Sequence, residues 1–345
     1  MSAAPSRILL LLLLPIGDTL FATPTVRAIR RSYPDATITA LAYPTNAGIL
    51  EANPDIDRLL LHPMATTWPG PVGYFRLLRN LRGAQFDLVV EFGPMQGWMR
   101  RIVHPRQFRC LDFPLWQWLL PMGKRPWRER HAVSSYATLL TATERELLPP
   151  GPVLHCTDID RARMSRRLAL LGEGPLLAVH PGGEGFRGMK RWPVERFAEV
   201  TRSLVGRLGA CVVVLGGADE IELAQGFTSR VTGAVSLAGS LTLGETVAVL
   251  ERCSLFLGND SAPLHMAGAL GVPTVGIYGP TNPANFRPRG PRVSVVRSSL
   301  SCSPCFHFVG SGPVWAGSRC RMPTCLHAVS AAMVERAAQD ALSGA

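Results

Sequence analysis

The sequence lacks any long apolar stretch. Nowhere in its 345 residues do the ~18 uninterrupted apolar residues of a membrane helix occur. The nearest run, residues 8–14, stops at Pro15 and Gly17-Asp18. Arg7 precedes it, as in a secretory signal, but the run is short and no small-x-small cleavage site follows cleanly. It reads better as a buried parallel strand, which makes a cytosolic protein with mostly reduced cysteines the expectation. Acid is also scarce: 25 Asp and Glu stand against 36 Lys and Arg, a net charge of +11. That balance suits an anionic partner, whether nucleic acid, an acidic membrane surface or a phosphorylated substrate. No nucleic-acid-binding module, GxGxxG fingerprint or Walker loop is present. No Asp-x-Asp pair directly follows a strand-like run, where a catalytic divalent ion would be held. Glycine and proline, by contrast, are plentiful (33 and 29) and evenly spread. They exclude a long coiled coil or a helical solenoid and fit many short strand-to-helix turns. An apolar fraction of 47% with 18% charge excludes wholesale disorder, and the length fits two domains.

Apolar runs alternate with amphipathic segments. Residues 7–14, 36–42, 56–61 and 86–92 read as strands, and 24–32, 72–81 and 131–147 as helices. Leu148-Pro-Pro-Gly-Pro152 breaks the pattern. After a short charged helix at 160–171 it restarts with strands at 176–180, 210–215, 235–237, 254–258 and 274–278 and helices at 194–208, 221–231, 243–252 and 263–270. Such alternation predicts an α/β fold of two halves, each a parallel sheet with helices on both faces. The expected division is 1–155, a linker at 156–175, a second domain at 176–327 and a C-terminal helix at 328–345. Ligands of such sheets bind at the C-terminal strand ends, and two facing domains would make a cleft. The unusual residues fall just after the strands.

Gly17 and Asp18 follow the first strand. Asp18 suits either a helix cap or a carboxylate general base. His180-Pro-Gly182-Gly183-Glu-Gly185 and Lys190 follow the strand at 176–180. This is a glycine loop with N–H groups and a full charge for a phosphate, or else a flexible basic loop. Leu215-Gly-Gly-Ala-Asp-Glu220 is a further glycine turn, with acids for ribose hydroxyls or for an ordinary helix start. Gly258-Asn-Asp260-Ser261-Ala262-Pro-Leu-His265 places polar side chains where a strand ends and a helix begins. There they can meet sugar hydroxyls and phosphate oxygens, although a lone helical histidine is often structural.

These stretches, with KRWP at 190–193, VVVLGGADE, SLAG, the run from LTLGETVAVLERCSLFLGNDSAPLHMAGALG to VPTVGIYGPTNP, and a late cysteine-rich tail, occur in order over roughly residues 7–335. In this ordered set the chain resembles the bacterial heptosyltransferase family, glycosyltransferase family 9. The resemblance implies a GT-B fold, with two Rossmann-like domains and parallel sheets facing across a cleft. It implies inverting, metal-independent transfer of heptose from ADP-heptose to a lipopolysaccharide inner-core acceptor, with no cofactor needed for catalysis. It places Asp18 as catalytic base, Lys190 at the donor phosphates, and Asp260, Ser261 and His265 at the donor. It makes Glu220 the ribose-binding acid and brings Gly182, Gly183 and Ala262 into the donor loops. Ala262 stands where glycine is common in the family. Another nucleotide-sugar or glycan acceptor within the family, or a silent nucleotide- or glycolipid-binding protein, are the alternatives.

Two further features stand apart. Cys302-x2-Cys305-x14-Cys320-x4-Cys325 has spacing for a structural zinc ion, reduced thiols or a disulfide. Residues 113–130 mix three tryptophans with a basic run. Lys124, Arg125 and Arg128 there suit either a solvated edge or an acceptor face docked peripherally on the anionic inner membrane.

Overall fold

Arg7–Leu12 forms the first strand, β1, and its last five residues are fully buried. A strand apolar in every position has to lie inside a sheet covered on both sides, which favours parallel pairing with helical crossovers. The computed structural model describes residues 4–62, 71–93, 98–111, 130–183, 188–309, 312–315, 320 and 322–343. It places β1 at the centre of a five-stranded parallel sheet ordered β3-β2-β1-β4-β5. The other strands are Thr37–Ala42 (β2), Arg58–Leu61 (β3), Leu88–Glu91 (β4) and Gln107–Cys110 (β5). A second parallel sheet has the order β11-β10-β9-β6-β7-β8. It comprises Leu176–His180 (β6), Cys211–Val214 (β7), Val235–Ser236 (β8), Cys253–Asn259 (β9), Thr274–Tyr278 (β10) and Val293–Arg297 (β11). The chain divides into two units, Met1–His155 with Phe308–Gly312, and Cys156–His307 with Pro313–Ala345.

The segment 156–175 was expected as a linker. The short charged helix read there runs Asp158–Leu168, started by a capping box in which Thr157 and Asp160 satisfy each other's backbone N–H groups. This helix packs on the helix Leu243–Leu250. Arg163 holds Glu245 at 2.7 Å and Arg161 holds Glu251 at 2.8 Å. The C-terminal helix Ala331–Ser343 lies against β9, β10 and β11, with Val334, Ala338 and Ala341 in the same core. Both segments are therefore packed parts of the second unit.

Two helices differ from the sequence reading. The first begins at Ile16 and runs to Ser32 through Pro24. A proline there leaves the Leu20 carbonyl without its N–H partner; the Thr23 hydroxyl donates to that oxygen at 2.7 Å instead. Residues 131–147 form short pieces, Ala132–Tyr136, a 3-10 turn Ala137–Leu139 and Ala142–Arg145. The break falls at Leu140, which is extended, and Thr141 caps a new helix with Glu144. Glu144 is buried because Arg109 (2.6 Å) and the Tyr33 hydroxyl (2.6 Å) bind its carboxylate.

Candidate active site

In the second unit the polar residues gather at the C-terminal ends of β6 and β9. Asn259, fully buried, is the keystone: its Nδ2 donates to the carbonyls of Pro181 and Gly182, both at 2.8 Å, and its Oδ1 accepts the Trp192 N–H at 3.0 Å. One amide thus fixes both ends of the 181–192 loop. Glycine is required within it. A Cβ on Gly182 would stand 2.0 Å from a Glu220 oxygen, and Gly183 has φ +145°.

Glu220 was expected to face ribose. Its carboxylate accepts the Gly183 N–H (2.7 Å) and the Gly217 N–H (3.0 Å), and it pairs with His180 Nε2 at 3.0 Å. Burial alone would raise its pKa. The His180 pairing and the two N–H bonds outweigh burial and hold it at about 2, against an ordinary 4.5. The other His180 nitrogen lies 2.9 Å from Ser261 Oγ, which also lies 3.0 Å from the Asn259 carbonyl oxygen. Ser261 is the N-cap of the helix Ala262–Ala269, yet its side chain makes no cap bond. Ala262 opens that helix without positive φ, so the position does not need glycine.

Asp260 is buried beside Lys190, whose Nζ donates to Oδ2 at 2.7 Å, and His265, whose Nε2 lies 3.4 Å from Oδ1. Burial works against the charged carboxylate, but Lys190 and His265 win and hold its pKa well below the usual range. Tyr278, fully buried at the end of β10, has its pKa pushed far up by burial and then by Asp260. The structure therefore brings Gly182, Gly183, Lys190, Glu220, Asp260, Ser261, Ala262 and His265 to one strand edge. Sequence reasoning missed three supports, His180 as a side chain, Asn259 and Tyr278. Each ends an apolar strand and had been given no role of its own; a polar residue at the last strand position was the available signal.

In the first unit Asp18 lies in the first turn of the helix Ile16–Ser32, where the helix dipole favours a carboxylate. The buried Tyr136 hydroxyl donates to its Oδ1 at 3.4 Å. Burial, then the Asp18 charge, drives the Tyr136 pKa far up, so the phenol stays a donor. Asn46 Nδ2 donates to the Leu12 carbonyl at 2.8 Å and to Thr19 Oγ1, tying the end of β1 to this turn. Lys124, Arg125 and Arg128 lie outside the described residues. Among the described residues no helix is long and apolar enough to cross a membrane. None of their His, Cys, Asp and Glu side chains stand together as a metal cage, and none of the eight cysteines is in a disulfide.

Known proteins agree with this architecture. A lipopolysaccharide heptosyltransferase 3 of Escherichia coli is 29% identical over 288 residues, 79% of this chain and 83% of its own length. The crystal structure of a glycosyl transferase family 9 protein from Veillonella parvula superposes with a TM-score of 0.78 at 22% identity, covering 99% of this chain and 98% of that one. The structure of E. coli ADP-heptose lps heptosyltransferase II gives a TM-score of 0.74 at 21% identity, covering 98% of each. The fold is thus the GT-B fold, two Rossmann-like α/β units. The sequence profile of glycosyltransferase family 9 (heptosyltransferase) matches residues 118–313, more than half of the chain. The chain belongs to that family and is a glycosyltransferase.

Proposed function

We propose that the chain transfers heptose from ADP-heptose to a lipopolysaccharide inner-core acceptor, with inversion and without a catalytic metal. The observation that carries the donor half is the buried Lys190–Asp260–His265 cluster beside the braced 181–183 loop. An ammonium has three N–H donors, so the bond to Asp260 does not exhaust Lys190, and it can also serve a diphosphate oxygen. Backbone N–H groups of the loop and of the helix start at Ala262 add donors where the leaving group's charge develops. The names of the relatives, heptosyltransferases of lipopolysaccharide and an ADP-heptose enzyme, favour this donor and acceptor.

In the first unit Asp18 takes the proton of the acceptor hydroxyl as its oxygen bonds to the anomeric carbon. The carbon–oxygen bond to the diphosphate breaks on the opposite face, which inverts the configuration, and ADP leaves. Glu220 serves by bracing the loop from beneath. The acceptor is lipid-anchored, and the working place is then the cytoplasmic face of the inner membrane, reached by peripheral docking.

The test is turnover of ADP-heptose on truncated lipopolysaccharide in EDTA. Wild type should turn over with unchanged rate, and Asp18→Asn should lose ~10²–10⁴-fold in kcat while binding ADP normally. Near-normal turnover of Asp18→Asn at saturating acceptor would return Asp18 to a helix-start role. Loss of wild-type activity that Mg²⁺ or Mn²⁺ restores would remove the metal-free mechanism.

A further inference from the structure

His180 and Ser261 share too few protons for the acceptors around them. His180 ends β6, and its Nε2 lies 3.0 Å from Glu220 Oε2. Both oxygens of that carboxylate already accept backbone N–H groups, from Gly183 on Oε1 at 2.7 Å and from Gly217 on Oε2 at 3.0 Å. Glu220 is therefore an acceptor on every side, and the Nε2 that faces it carries a proton. A neutral imidazole then has only a lone pair left at Nδ1. Nδ1 lies 2.9 Å from Ser261 Oγ, and the Asn259 carbonyl oxygen lies 3.0 Å from the same Oγ. Ser261 has one hydroxyl proton for these two acceptors.

A ligand phosphate would be a third acceptor. Ser261 is partly exposed, whereas His180 is buried, so a ligand meets the hydroxyl and not the imidazole. The Ser261 side chain makes no cap bond to the helix Ala262–Ala269, whose second residue is Pro263 and has no N–H to offer it. The hydroxyl is thus tied to His180 and not to the helix. Once Nδ1 also carries a proton, the roles change. Nδ1–H donates to a Ser261 lone pair, and the hydroxyl proton is released to an outside acceptor. The charge that directly faces the imidazole is the Glu220 carboxylate, which favours the cation. Arg191 reaches the other Glu220 oxygen at 3.6 Å. Beside Ser261, Asp260 is flanked by Lys190 and His265.

We propose that His180 is a positioning residue for the leaving diphosphate: it takes up a proton when the nucleotide-sugar binds and so turns the Ser261 hydroxyl toward a diphosphate oxygen. The proton passes from solvent to His180 Nδ1. The hydroxyl proton stays on Ser261 and is only re-aimed, so no bond of the substrate forms or breaks in this step. The role rests on the reading above that the diphosphate lies at the start of the helix Ala262–Ala269. The sign is fixed by the bookkeeping. The protonated protein binds the diphosphate better, so affinity is full at low pH and falls as pH rises through the range where an imidazole loses its proton.

Calorimetry of ADP-heptose binding without acceptor, in buffers of different ionisation enthalpy between about pH 5.5 and 9, counts the protons taken up. The diphosphate of ADP-heptose is substituted at both ends and does not itself titrate in this range. Wild type should take up about half a proton per nucleotide-sugar at the maximum, with affinity falling about tenfold across the range. His180→Gln keeps an N–H for Glu220 but cannot titrate; it should bind with no uptake and a flat pH profile. Ser261→Ala should also lose the uptake although His180 is intact, whereas uptake through His265 would survive both changes. If His180→Gln fails to fold, wild type and Ser261→Ala still decide. No uptake by wild type anywhere in the range, or uptake kept in either variant, would overturn the role and leave the donor reading in place. Failure of ADP-heptose to bind at all would overturn the donor reading and this role with it.

Discussion

Glu220→Gln should destabilise the protein by an amount that depends on pH. The carboxylate accepts two backbone N–H bonds and pairs with His180, all at 2.7–3.0 Å. An amide has one acceptor oxygen, and its NH₂ would be turned toward either an N–H or the imidazole. The native pKa of about 2 against an ordinary 4.5 is a gap of about 2.5, and each unit is worth ~1.4 kcal/mol, so the ionised form contributes about 3 kcal/mol. The sign follows from the lowered native pKa. The unfolded chain takes up the proton first, so this stability is fully present above about pH 4.5 and fades as pH falls toward 2. Urea unfolding of wild type and Glu220→Gln at pH 7 should differ by about 3 kcal/mol, and the gap should narrow steadily between about pH 4.5 and 2.5. A difference under ~0.5 kcal/mol at pH 7, as for an ordinary surface change, would refute the bracing role. So would a difference that stayed constant down to pH 2.5, because the ionised carboxylate would then not be its source.

Two other outcomes test the site and its setting. Lys190→Ala should weaken ADP binding at least ~10-fold by calorimetry and also lower stability, since removing one partner of a buried ion pair costs ~3–5 kcal/mol; unchanged ADP affinity would make Lys190 a purely structural partner of Asp260. Changing Lys124, Arg125, Arg128 and Arg130 to Gln should weaken low-salt sedimentation with anionic vesicles without altering ADP binding, at ~1 kcal/mol per charge within a Debye length of ~8 Å; equal sedimentation of variant and wild type would remove this stretch as a docking face.

The inner strands were legible because their burial is written in composition, whereas the half-exposed edge strands Gln107–Cys110 and Val293–Arg297 carry no such run and were not read. Ile8 to Leu12 is apolar in every position and became the central strand of a covered sheet. The start of the first helix was misread for a physical reason. Proline usually opens a helix, and only the Thr23 hydroxyl, satisfying the Leu20 carbonyl, lets Pro24 sit inside one. At the site, Asp260, Ser261 and the two glycines were legible from their place after strands. The partnerships were not. Lys190 meets Asp260 across 70 residues and His180 meets Ser261 across 81, and no local pattern encodes such pairs. Glu220 was recognisable as an acid in a glycine turn, but its direction depended on His180 waiting at the end of the neighbouring strand.

That inward direction bears on how a diphosphate leaving group would be served without a metal. Donors stabilise a developing charge best when they are already fixed, because their ordering cost is then met during folding and not during reaction. A glycine loop with φ +145° at Gly183 is costly to hold in one shape by itself. Here Glu220 grips the loop by the Gly183 N–H and Asn259 grips it by two carbonyls. Asp260 fixes Lys190 in the same way, at the expense of sharing its charge. The acids of the site thus orient its donors. Removing Glu220 should consequently weaken ADP binding through the loop its carboxylate holds, whereas a direct ribose contact would make the loss depend on the ribose hydroxyls. ADP and its 2′,3′-dideoxy analogue should lose the same factor of affinity in Glu220→Gln; a loss confined to ADP would show that the carboxylate reaches the sugar.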